Sequence, residues 1–174
     1  DGTDHAPPFT LHSLSPDQVL VLVNGKRLHQ SSLLHTNSTI GRGSSSVDLN
    51  TIPLLAVERV EVLRDGAAAQ YGSDAIAGII NIVLKGYGQT NQALLGWGRT
   101  TQGDGIQRQA SLFHSTALAS DGFFNITAEL RDRGSSNRAR PDADGQTRLH
   151  FGDADTQDGQ LAWNAELPQG DTTL

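Results

Sequence analysis

The side chains with the widest chemical range in this sequence are its histidines, its carboxylates and the residues of a glycine-rich turn. The histidines are His5, His12, His29, His35, His114 and His150. No two stand four residues apart and no HExxH occurs, so the spacing of a helical zinc site is missing. His29 and His35 share one polar loop, which leaves a two-histidine metal site open beside the plainer reading of hydrated loop side chains. The acidic tract Asp142, Asp144, Asp153, Asp155 and Asp158 invites a calcium loop and fails in register. With Gly145 at the sixth position the first is Arg140, and a start at Asp153 brings Gly159 one residue late and Asn164 where a bidentate Glu is needed. The run Asp65–Gly78 has no GK[ST] ending to cradle phosphate. No G-x-S-x-G elbow sets a serine nucleophile, so an enzyme is not expected, nor a cofactor or a resident metal.

Composition narrows the classes further. The chain has 174 residues with 13 basic and 19 acidic groups, a net charge of −6, no Cys and no Met. Residues 1–85 carry 6 basic and 8 acidic groups and residues 86–174 carry 7 and 11. Neither half has the clustered basic face that phosphate binding requires, so nucleic acid is not expected as a partner. Without Cys there is no disulfide framework, thiolate zinc site or iron–sulfur cluster. The longest nearly apolar stretch, Ala75–Leu84, falls far short of the ~18 residues of a membrane-spanning helix. Glycine, 19 residues in all, is enriched, which points to turns and close backbone approaches rather than long helices. Asp1 opens no recognisable signal peptide, and the chain is expected to be a processed or excised piece.

The elements that must position these groups fall into two kinds. Residues 1–16 read as an extended lead-in. Val19–Val23 is a continuous aliphatic run ending in Asn24-Gly25, the pattern of a buried strand entering a tight turn. Residues 29–46 are too polar to pack alone and read as an exposed loop of the kind that carries binding. Asp48 and Asn50 are placed to cap a short helix over Ile52–Val57, with Pro53 in its first turn. Arg59–Leu63 alternates as a strand does, Ala67–Gln70 suits one helical turn ended by Gly72, and Ile76–Lys85 is a strand in which Gly78 marks a bulge or close approach. After Lys85 the period changes to two: Gln92–Arg99, Ile106–Thr116, Phe123–Arg133 and Gln160–Leu167 alternate, separated by Gly103-Asp104-Gly105, Ser120-Asp121-Gly122 and a long polar stretch from Gly134 to Gly159. That is the signature of antiparallel hairpins with one polar and one apolar face, and equally of a β-barrel wall between lipid and a polar lumen.

The run from Val57 to Lys85 resembles the plug domain of TonB-dependent outer-membrane receptors. A strand (Arg59–Leu63), a tight turn (Asp65-Gly66), the corner Tyr71-Gly72-Ser73-Asp74-Ala75 and the strand Gly78-Ile79-Ile80-Asn81-Ile82-Val83-Leu84-Lys85 follow in that family's order. Val21–Arg27 and Val47–Pro53 upstream match as well. The resemblance implies an α+β fold: a small mixed-sheet plug with short helices over residues 1–85, its N-terminal part missing upstream, then over 86–174 the first antiparallel strands of a truncated barrel. The 89 residues after Lys85 supply only a few of the ~22 strands, each of about 10 residues, of a plugged barrel.

What the resemblance implies about function is uptake of a scarce nutrient, a siderophore, cobalamin or similar, by a parent protein in the outer membrane whose plug gates the barrel. The partners would be the external ligand, TonB through a segment absent here, and the membrane through the full barrel. The fragment alone is expected to be soluble, with self-pairing through its open strand edges. His29, Gln30, His35, Asn37 and Arg42 become candidate ligand contacts on a plug loop. Arg59, Glu61, Arg64 and Asp65, alternating in sign, suit pairing with a polar barrel wall. Gly66, Tyr71, Gly72, Ser73, Asp74, Gly78, Asn81 and Lys85 complete the plug motif, Tyr71 as a packing residue rather than a ligand contact. The reading of another class is a soluble plug-like binding or signalling module.

Overall fold

The computed structural model describes residues 9–36, 41–64, 67–119, 121–139 and 152–167. They form a mixed four-stranded sheet with short helices and a four-stranded antiparallel sheet. The first sheet holds β1 (Val19–Val23), β2 (Lys26–Arg27), β3 (Val57–Leu63) and β4 (Gly78–Leu84), with a short helix α1 (Ala67–Tyr71) between β3 and β4. Its order is β2-β1-β4-β3. β1 runs parallel to β4, with Val19 opposite Gly78 and Val23 opposite Ile82, and the other pairings are antiparallel.

The lack of alternation in β1 has a direct cause, because both of its faces are covered. Leu20 and Leu22 pack with Ala75, Ile79 and Tyr71 on one side, while Val21 packs with Val47 and Ile82 on the other. Burying an aliphatic side chain of this size is worth roughly 1.5–3 kcal/mol. A strand sandwiched in this way reads as a continuous apolar run. Asn24 and Gly25 take φ of 48° and 75° and close the β1–β2 hairpin, the paired positive angles of a type I′ turn.

β4 begins at a close approach of the chain to itself. Gly78 has φ of 133°, and a Cβ there would lie 2.5 Å from the Leu63 carbonyl oxygen. Only glycine fits both the angle and the contact. Gly72, with φ of 90°, follows α1, its N–H donating to the Ala68 carbonyl.

The second sheet is a meander of β5 (Gln92–Gly98), β6 (Gln107–Ala117), β7 (Phe123–Arg133) and β8 (Thr156–Glu166), in chain order. Two expectations differ from what is found. No α-helix covers Ile52–Val57: 3₁₀ turns at Leu49–Thr51 and Leu54–Ala56 take its place, and Val57 already belongs to β3. Asp48 caps the first turn by accepting from the Asn50 N–H at 2.9 Å, but the demand of β3 for a partner on β4 wins over continued winding. The polar residues Thr156–Gly159 belong to β8 rather than to a loop, because each pairs across to β7, Thr156 with Arg133 and Gly159 with Leu130.

Gly78→Ala is expected to lower the unfolding free energy by about 1–3 kcal/mol, the scale of a forced backbone conformation. Urea unfolding of the purified protein followed by circular dichroism measures it, and Gly25→Ala, where a Cβ meets nothing within 4 Å, should cost less.

Candidate functional site

The second sheet is largely polar where it is covered, Phe113 and Phe123 apart, and carries most of its exposed leucine and tryptophan side chains on the other face. Along β7, Asn125, Thr127 and Glu129 are buried and Phe124 and Leu130 are exposed. Leu112 on β6, Leu95 and Trp97 on β5 and Leu161 and Trp163 on β8 are exposed as well, Leu95 to 87 %. This inverts the ordinary rule for a soluble sheet. The polar face is covered by the first sheet and its turns. Between the turn Leu54–Ala56, Lys85 and the wall residues Phe113, Asn125 and Thr127 the remaining cavity is only about 10 Å³.

The polar groups on that face are held in two ways. Glu129 accepts from Ser111 Oγ at 2.9 Å and Gln109 Nε2 at 3.2 Å, and pairs with Arg131 Nε at 3.3 Å. Other wall groups reach the backbone of the first unit. Asn125 Nδ2 donates to the Lys85 and Gly86 carbonyls at 2.7 and 2.9 Å, and Asn164 Nδ2 to the Lys85 carbonyl at 3.0 Å. Arg131 Nη2 donates to the Asn50 carbonyl at 3.0 Å, and Gln160 Nε2 donates to the same oxygen. Beside this contact lies a polar cleft of about 440 Å³ lined by Asn50, Gln109, Arg131, Arg133, Thr156 and Asp158.

On β3, Arg59 and Glu61 pair within the first sheet rather than with the wall strands described. Arg59 Nε donates to Glu61 Oε1 at 2.9 Å, and Glu61 Oε2 accepts from Asn81 Nδ2 at 2.8 Å. Asn81 Oδ1 in turn accepts from the Gly25 N–H at 3.0 Å. One chain of bonds thus crosses β3, β4 and the β1–β2 turn. The Asn81 bond, then Arg59, holds the Glu61 carboxyl below its usual range. Arg64 is exposed; Asp65 and Gly66 lie outside the described residues. Tyr71 packs on the Leu20 and Leu22 cluster, and its carbonyl accepts from Arg27 Nη2. Arg27 Nη1 also meets Asp74 Oδ2 at 2.7 Å, and Ser73 Oγ donates to Asp74 Oδ1 at 3.3 Å. Lys85 Nζ donates to Gln92 Oε1 at 2.8 Å and sits 4.7 Å from the Phe113 ring centroid. Burial lowers its pKa.

The candidate ligand loop is more ordered than its composition suggests. Ser31 N–H donates to the Ser46 carbonyl, His35 N–H to that of Ser44, and Gly43 N–H to that of His35. His29, Gln30 and Arg42 are exposed, with Gln30 Oε1 accepting from Ser45 Oγ at 3.3 Å. Asn37 lies outside the described residues. His35 is fully buried and its Nε2 lies 3.0 Å from Ser46 Oγ. It props the loop from beneath and presents no surface to a ligand. Among the described residues no group of three His, Asp or Glu is arranged to hold a metal ion; Asp142 and Asp144 lie outside them.

Sequence reasoning missed a clasp between two loops at the far ends of the strands. Asp104, between β5 and β6, accepts from Arg138 Nη1 and Nη2 at 2.5 and 2.9 Å, from Thr100 Oγ1 at 2.5 Å and from the Asn137 N–H at 3.0 Å. The Arg138 bonds, then Thr100, hold the Asp104 carboxyl far below its usual range, and the pKa of Arg138 is raised in return. No local pattern announces this pairing, since the partners stand 34 residues apart.

Comparison with known proteins places these features in a family. Residues 1–79 match the model of the TonB-dependent receptor plug domain. The chain is 32% identical over 151 residues to the vitamin B12 transporter BtuB of Vibrio cholerae, covering 86% of this chain and 22% of that protein. It is 28% identical over 151 residues to BtuB of Vibrio vulnificus, covering 87% and 22%. Among solved structures, a variant of the ferric enterobactin receptor PfeA of Pseudomonas aeruginosa, in complex with enterobactin, superposes with a TM-score of 0.57 at 26% identity, over 70% of this chain and 18% of that one. The chain therefore spans about a fifth of the length of the curated relatives it matches.

The clasp sets a pH expectation. Because the folded-state pKa of Asp104 is depressed, its stabilising effect is fully present above the ordinary carboxylate value near ~3.9 and is lost as pH falls through the lower folded value. Protection of the Asn137 amide in hydrogen exchange should persist at pH 4 in the native protein and disappear in Asp104→Asn at every pH; equal protection in both would overturn this.

Proposed function

From the match of residues 1–79 to the TonB-dependent receptor plug domain, we propose that the parent protein is a receptor of that family, sits in the outer membrane, binds a scarce nutrient outside the cell, and admits it when TonB rearranges the plug. The observation that carries this reading is the inverted polarity of β5–β8. Leu95, Leu112, Leu130, Leu161 and Trp163 face outward while Ser111, Asn125, Thr127 and Glu129 face the plug. A wall with lipid on one side and a plug on the other requires that arrangement. β5 and β8 are the outer strands of the sheet, and further wall strands of the parent would pair their edges, since open edges are not tolerated in lipid.

The relatives support this ligand class, since they are named for vitamin B12 and for ferric enterobactin. In this chain the exposed loop side chains His29, Gln30 and Arg42 are the contacts offered to such a ligand, with Asn37 beside them in sequence, and the buried His35 fixes the loop that carries them. The plug residues from Arg59 to Lys85 keep the domain folded and docked while it gates the barrel.

Two experiments test these statements. In the full-length protein, His29→Ala with Arg42→Ala should weaken binding of cyanocobalamin or ferric enterobactin, whichever binds, by about tenfold or more, the scale of one lost charge-assisted bond. Titration followed by tryptophan fluorescence measures it, and unchanged affinity for the ligand that binds would remove the loop from the site. For the wall, Leu112→Arg should cost about 2–4 kcal/mol of folding in lipid bilayers, as a cation near the midplane does, whereas a soluble module would tolerate arginine at an exposed position. Refolding into vesicles measures the difference.

A further inference from the structure

The wall grips the plug at two places that differ in kind. At one, Asn125 and Asn164 stand opposite each other on β7 and β8 and both donate to the Lys85 carbonyl, Asn125 also to that of Gly86. Asn24 ties the same point to the hairpin turn: its Nδ2 donates to Asn164 Oδ1 at 3.3 Å and its Oδ1 accepts from the Leu84 N–H at 2.8 Å. Lys85 adds its own N–H to the Ala56 carbonyl at 2.9 Å and its ammonium to Gln92 on β5. At the other place, six residues and roughly 20 Å further along β7, Arg131 and Gln160 hold the single carbonyl of Asn50.

The consequences of letting go are unequal. If the Asn50 carbonyl leaves, Arg131 keeps Glu129, which keeps Ser111 and Gln109, and no charge is stranded; Gln160 Nε2 also loses its acceptor, but Gln160 is only half-buried and can turn to water. If the Lys85–Gly86 backbone leaves, the Asn125 Nδ2 is orphaned on a residue 2 % exposed whose Oδ1 already lacks a partner. A buried amide without partners is costly, and the amide-to-carbonyl bonds themselves carry no charge for salt to screen.

On the reading of the parent as a plugged receptor, we propose that Asn125 and Asn164 are positioning residues that form a permanent anchor for the plug's exit strand, and that the Asn50 carbonyl is the releasable contact, so that the plug opens at its Asn50 side while residues 78–86 stay docked. The acceptors are backbone carbonyls, so the anchor constrains where the plug leaves the wall and not which side chains it carries there.

The test is made on the purified full-length protein with paired spin labels. One pair, Lys26→Cys with Glu166→Cys, spans the anchor; the other, Thr51→Cys with Asp158→Cys, spans the Asn50 contact. The native background should give a single narrow distance for each pair. Arg131→Ala with Gln160→Ala should broaden only the Thr51–Asp158 distance, and Asn125→Leu with Asn164→Leu should broaden the Lys26–Glu166 distance. A second readout is nitrocefin entry into intact cells, which should rise for the Asn125/Asn164 variant beyond that of the Arg131/Gln160 variant at equal receptor amounts. Should the double leucine variant fail to fold, the single Asn164→Ala variant is read by the same distances. A Lys26–Glu166 distance that stays narrow without the amides, or that broadens with the loss of Arg131 and Gln160, overturns the proposal. These distances are read whether or not the protein binds a nutrient, so failure of the transport reading is separately visible as absence from the outer-membrane fraction.

Discussion

A buried polar face has to find hydrogen-bond partners that water no longer supplies, and the rest of this structure is arranged around meeting that demand. The inward residues of β5–β8 include an amide, a hydroxyl and a carboxylate that are nearly inaccessible, Asn125, Thr127 and Glu129. Glu129 is satisfied within the wall by Ser111, Gln109 and Arg131. Asn125 and Asn164 reach instead for backbone carbonyls of the segment that joins the two sheets. The plug is therefore more than something enclosed by the wall. It supplies acceptors to wall donors that otherwise have none, and sheet one and sheet two each complete the other.

The first sheet can offer those carbonyls because it is stiff on its own account. β1 is covered on both faces, β4 starts at a glycine pressed against the Leu63 carbonyl, and a side-chain ladder of Gly25, Asn81, Glu61 and Arg59 runs across the strands. Each exposed ion pair in that ladder is worth little alone. Their use lies in register: Asn81 faces Glu61 on one neighbour and Leu22 on the other, so a slip of one residue on either side breaks the series and turns the apolar set outward.

How much of this could be read from the sequence depends on how local its cause is. The alternation of Phe123–Arg133 was legible to the residue, as were the Asn24-Gly25 turn and the special position of Gly78, because period and backbone geometry are written in a few neighbouring residues. The polar side of the wall was legible in type: Asn125, Thr127, Glu129 and Arg131 share one face of one strand. Their partners were not, since Asn125 meets Lys85 and Gln160 meets Asn50 across 40 and 110 residues. Tertiary pairing overrode two local signals. It drew Val57 out of a capped helical turn into β3, and it drew Thr156–Gly159 out of a polar loop into β8. His35 misled for a related reason: a histidine in a Ser- and Gly-rich loop reads as solvated, and only the hairpin bonds to Ser44 and Ser46 fold it inward.

The distribution of charge along the wall gives the two ends of the plug different characters. Toward one end the wall carries ion pairs of its own, Asp104 with Arg138 and Glu129 with Arg131, and Arg131 also donates to the Asn50 carbonyl of the plug, the contact that Gln160 shares. Toward the other end the contacts are amides on carbonyls. An exposed ion pair such as Asp104–Arg138 weakens with salt and with protonation of its carboxylate, while hydrogen bonds between an amide and a backbone carbonyl carry no charge to screen or titrate. With the charged donor Arg131 on the Asn50 carbonyl at one end, and neutral amides on the Lys85 and Gly86 carbonyls beside the Lys85 ammonium at the other, it is the kind of contact, rather than the number, on which the proposed difference between the two grips rests.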